Sequence, residues 1–233
     1  MANPVVKNIN AFDIANNLKF SELRRNAKGG KMVYITSGNS KTFFELPVLR
    51  APFGLSSFTD QKSGNVSYSL DVSLDDTAIV NKIREIEDYV VDYVSKNSEE
   101  LLGKSYSVAV IKDALFKSCI RESKDGKYAP TLKLKVMHND GVFSVSAYNA
   151  SKKAVSMDSL KKGQRVKTIV DLNQIWIIDN KFGLSLRLKQ VMMMPNTELT
   201  GCAFSGGSDG EDDFVEDVVK SENGSNSGEQ DDD

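Results

Sequence analysis

At 233 residues, 40% hydrophobic and 27% charged, the chain has the make-up of one globular domain with extensions. No apolar run approaches the roughly 18–20 residues that span a bilayer. The N-terminus MANPVVKNINAF also lacks the apolar core of a secretory signal, so an intracellular protein with no membrane contact is expected. The net charge of −2 conceals two poles: of 30 Lys+Arg and 32 Asp+Glu, the last 26 residues take one base and 11 acids, leaving 29 bases against 21 acids in residues 1–207. A basic body beside an acidic end points to a polyanion partner for the body and an interaction role for the tail.

Alternation dominates the chain. KMVYIT (31–36) reads as a strand, and KTFFELPV (41–48) continues a sheet with Pro47 at an edge or bulge. In NVSYSLDVSLD, Val66, Tyr68, Leu70, Val72 and Leu74 share one face and Ser67, Ser69, Asp71 and Ser73 the other. The period then changes: Ile79, Ile83, Ile86, Val90 and Val94 step by threes and fours, which predicts a helix over about 76–96 capped by Asp75, Asp76 or Thr77. Tyr89 and Tyr93 widen its apolar face, and Ser98 starts a short further turn before Gly103.

Five more strands are expected after the helix: YSVAVI (106–111), TLKLKVM (131–137), VFSVSAY (142–148), VKTIVDLNQIWI (166–177) and LSLRLKQVM (184–192). Turn signals separate them, among them ESKDGK, the HNDG hairpin signal at 138–141, LKKGQ at 160–164 and DNKFG at 179–183. The sum is a mainly β fold: an OB-fold-like five-stranded barrel with an inserted α-helix and additional strands. Residues 1–200 form this domain with its N-terminal extension. Residues 201–233 lose all periodicity, turn to Gly, Ser and acid, and read as a disordered acidic tail.

Several chemistries drop out. Cys119 and Cys202 are far apart, without a CxxC pattern, and the single His138 stands at no metal-ligand spacing to either. LLGKS has only the last half of a phosphate loop, with Ser98 where the first glycine belongs and a helix where a strand should precede. DGEDDFVEDVVK does not follow the calcium-loop order. With one histidine and no nucleophile–base pair, neither an enzyme, a metal nor a cofactor is expected.

What remains is basic and aromatic. Arg24, Arg25, Lys28 and Lys31 surround Gly29-Gly30, and Arg50, Phe53 and Phe58 lie in the Pro/Gly-containing LRAPFGLSSF. Lys133 and Lys135 occupy the strand face opposite Leu132, Leu134 and Val136. Lys152, Lys153, Lys161, Lys162, Arg165 and Lys167 follow Tyr148, and Trp176 is the one tryptophan. Single-stranded nucleic acid is held by a cationic groove plus aromatic faces, at about 1–3 kcal/mol per stacked base. The plainer reading is that outward lysines solvate a sheet face and a lone Trp packs in the core. The residues alone leave both open, as they do a β-rich scaffolding protein whose acidic tail binds a basic partner and whose body has no nucleic-acid affinity.

The order strand, helix, strands, acidic tail resembles the single-stranded DNA-binding proteins of short-tailed bacteriophages and large eukaryotic DNA viruses. The likeness is carried by YSLDVSLDDTAIVNKIREIEDYV, by DGKYAPTLKLKV with VSAYNASKKAV, by LKKGQRVKTIVDLNQIWI with GLSLRLKQVMM, and by FSGGSDGEDDFVEDVV. Together these cover most of residues 65–220, while the first 60 residues have no match. The resemblance implies an OB-fold, sequence-tolerant binding of single-stranded DNA, and a role in viral DNA replication and recombination. It also implies a tail that contacts replication proteins such as DNA polymerase, helps form a homodimer and competes with DNA. The phage members end in an aromatic residue, whereas this chain ends in Asp231, Asp232 and Asp233. Phe214, Val215, Val218 and Val219 form a one-sided stripe that is either a substitute partner face or an ordinary part of the tail. The expected DNA-binding set is Arg24, Arg25, Lys31, Arg50, Phe53, Lys133, Lys135, Tyr148, Lys152, Lys153, Lys167 and Trp176.

Overall fold

Two long strands joined by a tight turn organise the molecule. The computed structural model describes residues 6–27, 29–139 and 141–195. In chain order, β1 (Lys7–Asn8) leads into α1 (Ile14–Asn17), β2 (Lys19–Phe20), β3 (Arg24–Arg25), β4 (Lys31–Ser37) and β5 (Ser40–Lys41). Next come β6 (Phe43–Arg50), β7 (Leu55–Thr59), β8 (Val66–Ser73) and the long helix α2 (Thr77–Lys96), followed by α3 (Ser98–Leu102) and α4 (Val108–Val110). Short strands β9 (Phe116–Lys117) and β10 (Ile120–Arg121) precede β11 (Thr131–Val136), β12 (His138–Asn139), β13 (Val142–Phe143), β14 (Ser146–Asn149) and β15 (Ala154–Val155). The hairpin β16 (Arg165–Ile178) and β17 (Lys181–Met193) closes the described chain.

That hairpin turns on Asp179 and Asn180, both with positive φ (49° and 62°). This is the geometry a two-residue turn needs to match strand twist, and Asp and Asn tolerate it. β16 pairs with β4 through Gln174–Ile177 and with β6 through Arg165–Asp171. Between the two stretches, its register on β17 slips between Leu172 and Gln174, so Asn173 bulges at the hand-over. Pro47 of β6 likewise sits where the β6–β16 register shifts, between Val166 and Thr168, as a residue without an N–H requires.

The fold is mainly β, as expected, but the sheet does not close into a barrel. Its main order is β1-β6-β16-β17-β11-β8-β7, and among the described residues the end strands do not pair with each other. Closure would need β1 to meet β7, yet β1 offers two residues and spends them on a parallel pairing with β6. The first 60 residues supply seven of the strands.

Other expectations need correction. YSVAVI is helical rather than a strand: Ser107 caps a turn by accepting from the Val110 N–H at 3.4 Å, and a wide π-type turn continues through Ile111–Leu115. Val108 and Val110 stay exposed, and of the segment's apolar residues Ile111 alone is fully buried. VFSVSAY splits in two. Val142–Phe143 folds back on His138–Asn139 at the HNDG hairpin, and Ser146–Asn149 runs parallel to β17. LRAPFGLSSF, for which no strand is expected, contains β7, because Leu55–Thr59 pairs along β8.

The long helix forms as its spacing predicts, with Asp76 as the N-cap accepting from Ala78 N–H at 2.8 Å. Ile79, Ile83, Ile86, Val90 and Val94 are buried in one apolar cluster with Leu70, Val72, Leu132, Leu134 and the inward residues of β16 and β17. Tyr93 stacks on Phe20 at 3.9 Å between ring centroids, and Tyr89 flanks the same ring at 6.0 Å. Gly103 ends α3 in the left-handed conformation, φ 82°.

One polar group of α2 reaches across the core boundary. Glu87 is buried, and its carboxylate accepts from Ser118 Oγ at 2.8 and 3.1 Å and from the Cys119 N–H at 2.7 Å. These charge-assisted bonds offset the desolvation of the carboxylate and fix the segment between β9 and β10 against the helix. Replacing Glu87 by Ala strands the Cys119 N–H, so urea melts should show a loss of about 1–3 kcal/mol.

Candidate nucleic-acid interface

The strand registers place the sequence-predicted cations on one surface. Opposite residues of a ladder share a face. Lys133 lies opposite Asp71 and Lys135 opposite Ser69, while Arg121 faces Thr131, which faces Ser73. One strand further out, Phe58 lies opposite Ser67. The apolar positions between them, Leu132, Leu134, Leu70 and Val72, point into the core. Alternation therefore produces both faces at once.

This face forms the floor and walls of an open groove of about 490 Å³. Lys133 and Lys135 rise from β11, Lys117 and Arg121 from the β9–β10 segment, and Phe58 and Trp176 supply ring faces at its sides. All four cations are exposed, and among the described residues none takes part in an ion pair. Phe58 is 65% exposed, far more than packing would leave a phenylalanine. Asp71, opposite Lys133, is the acid of this floor and is buried.

Trp176 is half-buried and lines the groove, outside the fully buried core. Its ring lies over Gly183, its partner on β17. A Cβ at Gly183 would stand 2.9 Å from Trp176 Cζ2 and 2.6 Å from the Lys117 carbonyl oxygen, so only glycine lets strand, ring and β9 approach this closely. Cys119 also lines the groove, and burial, with the Glu87 carboxylate beside it, pushes its thiol well above the ordinary value. The thiol is therefore protonated at neutral pH and a poor nucleophile.

The remaining expected site residues lie elsewhere. Arg24 shares a cross-strand row with Trp176 through Met32 and sits over the Tyr34 ring at 5.7 Å. Arg25 and Lys31 pair on the reverse face, where Lys31 Nζ donates to the Leu101 carbonyl at 3.1 Å. Arg50 and Phe53 lie in a neighbouring hollow that shares Arg121 with the groove. Tyr148 is half-buried on β14, opposite Met192, and Lys152 and Lys153 occupy the turn to β15. Lys167 is committed to Glu45 at 2.8 Å. Phe214, Val215, Val218, Val219, Asp231, Asp232, Asp233 and Lys28 lie outside the described residues.

Sequence reasoning passed over Lys117 and Arg121. They stand in FKSCIRE, whose two-residue strands have no period to detect, and their charge was the only available signal. Among the described residues there is no cluster of metal-ligating side chains and no helix long and apolar enough to cross a membrane.

A family model matches residues 60–201, which takes in β8, α2, the β9–β10 segment, β11 and the β16–β17 hairpin, but not β7 with Phe58. The chain belongs to DUF5871, a family of unknown function. No curated protein sequence matches this DUF5871 member. Similar solved structures include the single-stranded DNA-binding protein of bacteriophage Enc34 in complex with single-stranded DNA, at a TM-score of 0.44 and 12% identity over 77% of this chain and 97% of that one. Another is gp2.5, the single-stranded DNA-binding protein encoded by bacteriophage T7, at a TM-score of 0.44 and 16% identity over 79% of this chain and all (100%) of that one.

Two outcomes follow from the groove's packing. Gly183→Ala should destabilise the fold by about 1–3 kcal/mol and shift the Trp176 emission, read by denaturant melts followed by fluorescence. Iodoacetamide at neutral pH should leave Cys119 unmodified until denaturant is added, read by peptide mapping.

Proposed function

We propose that this protein binds single-stranded DNA, with little sequence preference, along the groove between β7–β8–β11 and the β9–β10 segment. The observation that carries the reading is the exposed ring of Phe58 and the half-buried Trp176 set among four cations that, among the described residues, have no ion-pair partner. Lys117, Arg121, Lys133 and Lys135 neutralise phosphates, and the two rings take base faces. A duplex hides those faces in its own stack, so aromatic walls of this kind favour an unpaired strand. Stacking on the two rings fits sequence-tolerant binding, because every base presents a π-face.

In this reading the protein protects and organises single strands during viral DNA replication and recombination inside the host cell, without catalysis. The acidic tail competes with DNA for the cationic groove and contacts replication proteins such as DNA polymerase, with Phe214, Val215, Val218 and Val219 as its apolar face. It also supports a homodimer. The sequence resemblance and the charge split between residues 1–207 and the tail support this part. Tyr148, Lys152, Lys153 and Lys167 flank the track rather than form it.

Labelled oligo-dT and anisotropy test the reading. Binding should weaken with salt at a log–log slope of roughly −0.7 per phosphate contact, and Lys133→Ala or Lys135→Ala should each flatten that slope by about 0.7. Lys167→Ala should leave it unchanged. Trp176→Ala should cost about 1–3 kcal/mol of affinity. Deleting residues 208–233 should tighten binding at low salt. A tail-less body that gives no shift at low salt overturns the proposal in favour of a scaffolding protein.

A further inference from the structure

Beside the groove lies a second hollow, of about 690 Å³, that the reading above does not use. Arg121 lines both, and Thr131 of β11, two residues from Lys133, belongs to its floor. The hollow is therefore the continuation of the groove along β11, beyond Lys133. Its size is within the range that holds small-molecule-sized groups.

Two rings stand at its rim. Phe53 is 54% exposed and Tyr128 is 78% exposed, and they come from separate loops. Neither loop leaves its ring to chance. The turn bearing Phe53 is tied to the 161–164 turn, with Ala51 N–H donating to the Gln164 carbonyl and Gly163 N–H to the Ala51 carbonyl, both at 2.8 Å. Gly54 completes it at φ 64°, where a Cβ would come 3.2 Å from the Lys162 nitrogen, so a side chain there is strained and crowded. On the other loop, the Pro130 carbonyl accepts from the Leu74 N–H at 2.8 Å, two residues after Tyr128. Loops whose backbone is already tied down lose less entropy when something stacks on the rings they carry.

The charges fit the same occupant. Arg50, Arg121 and Lys127 line the hollow, and among the described residues none is in an ion pair. Two acids also line the hollow: Glu122 is paired with Arg84 at 3.0 Å, and Asp75 accepts from Ser73 Oγ at 3.0 Å, so the cations outnumber the acids there. Three cations outside any ion pair among the described residues, beside two exposed rings, suit a nucleotide better than a protein-docking face.

We infer that the Phe53–Tyr128 hollow is a second base-binding subsite, in which an unpaired base of the same DNA strand stacks on these rings while Arg50 and Lys127 hold its phosphates. Arg121 bridges the two subsites, so the strand runs from Trp176 and Phe58 past Lys133 to Phe53. This rests on the groove reading and extends it from one stacking station to two.

The test uses the full chain and labelled oligo-dT from about 4 to about 16 nucleotides, the range of site sizes for folds of this kind. The wild type should gain affinity in two steps with length. Phe53→Ala and Tyr128→Ala, both at exposed positions, should abolish the second step, binding long oligomers roughly tenfold more weakly and short ones as the wild type does. Phe53→Tyr and Tyr128→Phe should restore it, since either ring stacks. Photocrosslinking with 5-iodo-deoxyuridine oligomers should label the peptides carrying Phe53 or Tyr128 only with the longer strands. If both alanine variants bind long strands like the wild type while Trp176→Ala weakens all lengths, the second subsite is wrong and the groove stands. If Trp176→Ala also has no effect, the groove reading itself has failed.

Discussion

The pairing of β16 with β17 is the constraint on which the rest of the architecture depends. Each strand is more than twice the usual length, and each serves several neighbours in turn. β4 and β6 dock on successive halves of β16, while β9, β11 and β14 dock on successive parts of β17. A flat ribbon of that length would expose one of its faces. The bulge at Asn173 bends it, so that residues as distant as Val33 and Leu134 reach one core. The Asp179–Asn180 turn fixes the register, and a slip of one residue would carry Trp176 from the groove to the core.

The helix contributes to the site through one buried carboxylate. Glu87 spans from the helix to the β9–β10 segment, whose strands are too short to hold themselves in place. That segment carries Lys117 and Arg121, so half of the groove's positive charge is positioned from within the core. The same carboxylate sits beside the Cys119 thiol and reinforces the effect of burial in keeping it protonated. A polar contact of this kind supports position and chemical inertness together.

Much of this was legible in the residues wherever a period ran long enough to register. The threes and fours of Ile79 to Val94 gave the helix, and TLKLKVM gave both a core face and a cationic face. Asp and Asn in DNKFG announced the hairpin turn. YSVAVI failed because alternation alone does not specify a strand, and Ser107 offered the chain a helical cap instead. FKSCIRE and the first 25 residues were opaque for a different reason: strands of two residues are made by their neighbours, not by their own pattern. The site followed the same rule. Lys133, Lys135 and Trp176 were visible on long strands, whereas Lys117 and Arg121 became neighbours of these only through tertiary pairing.

The unclosed sheet has a mechanical consequence. In a closed barrel every strand is gripped on both sides, and the width of any groove is set by the ring as a whole. Here, among the described residues, β7 is gripped on one side only, by its five residue pairs with β8. The wall that carries Phe58 is thus a cantilever, while the opposite wall, with Trp176, belongs to the stiff central hairpin. Such a jaw has one wall built into the central hairpin and one held by a single ladder, so their spacing is set by the β7–β8 ladder and not by the core.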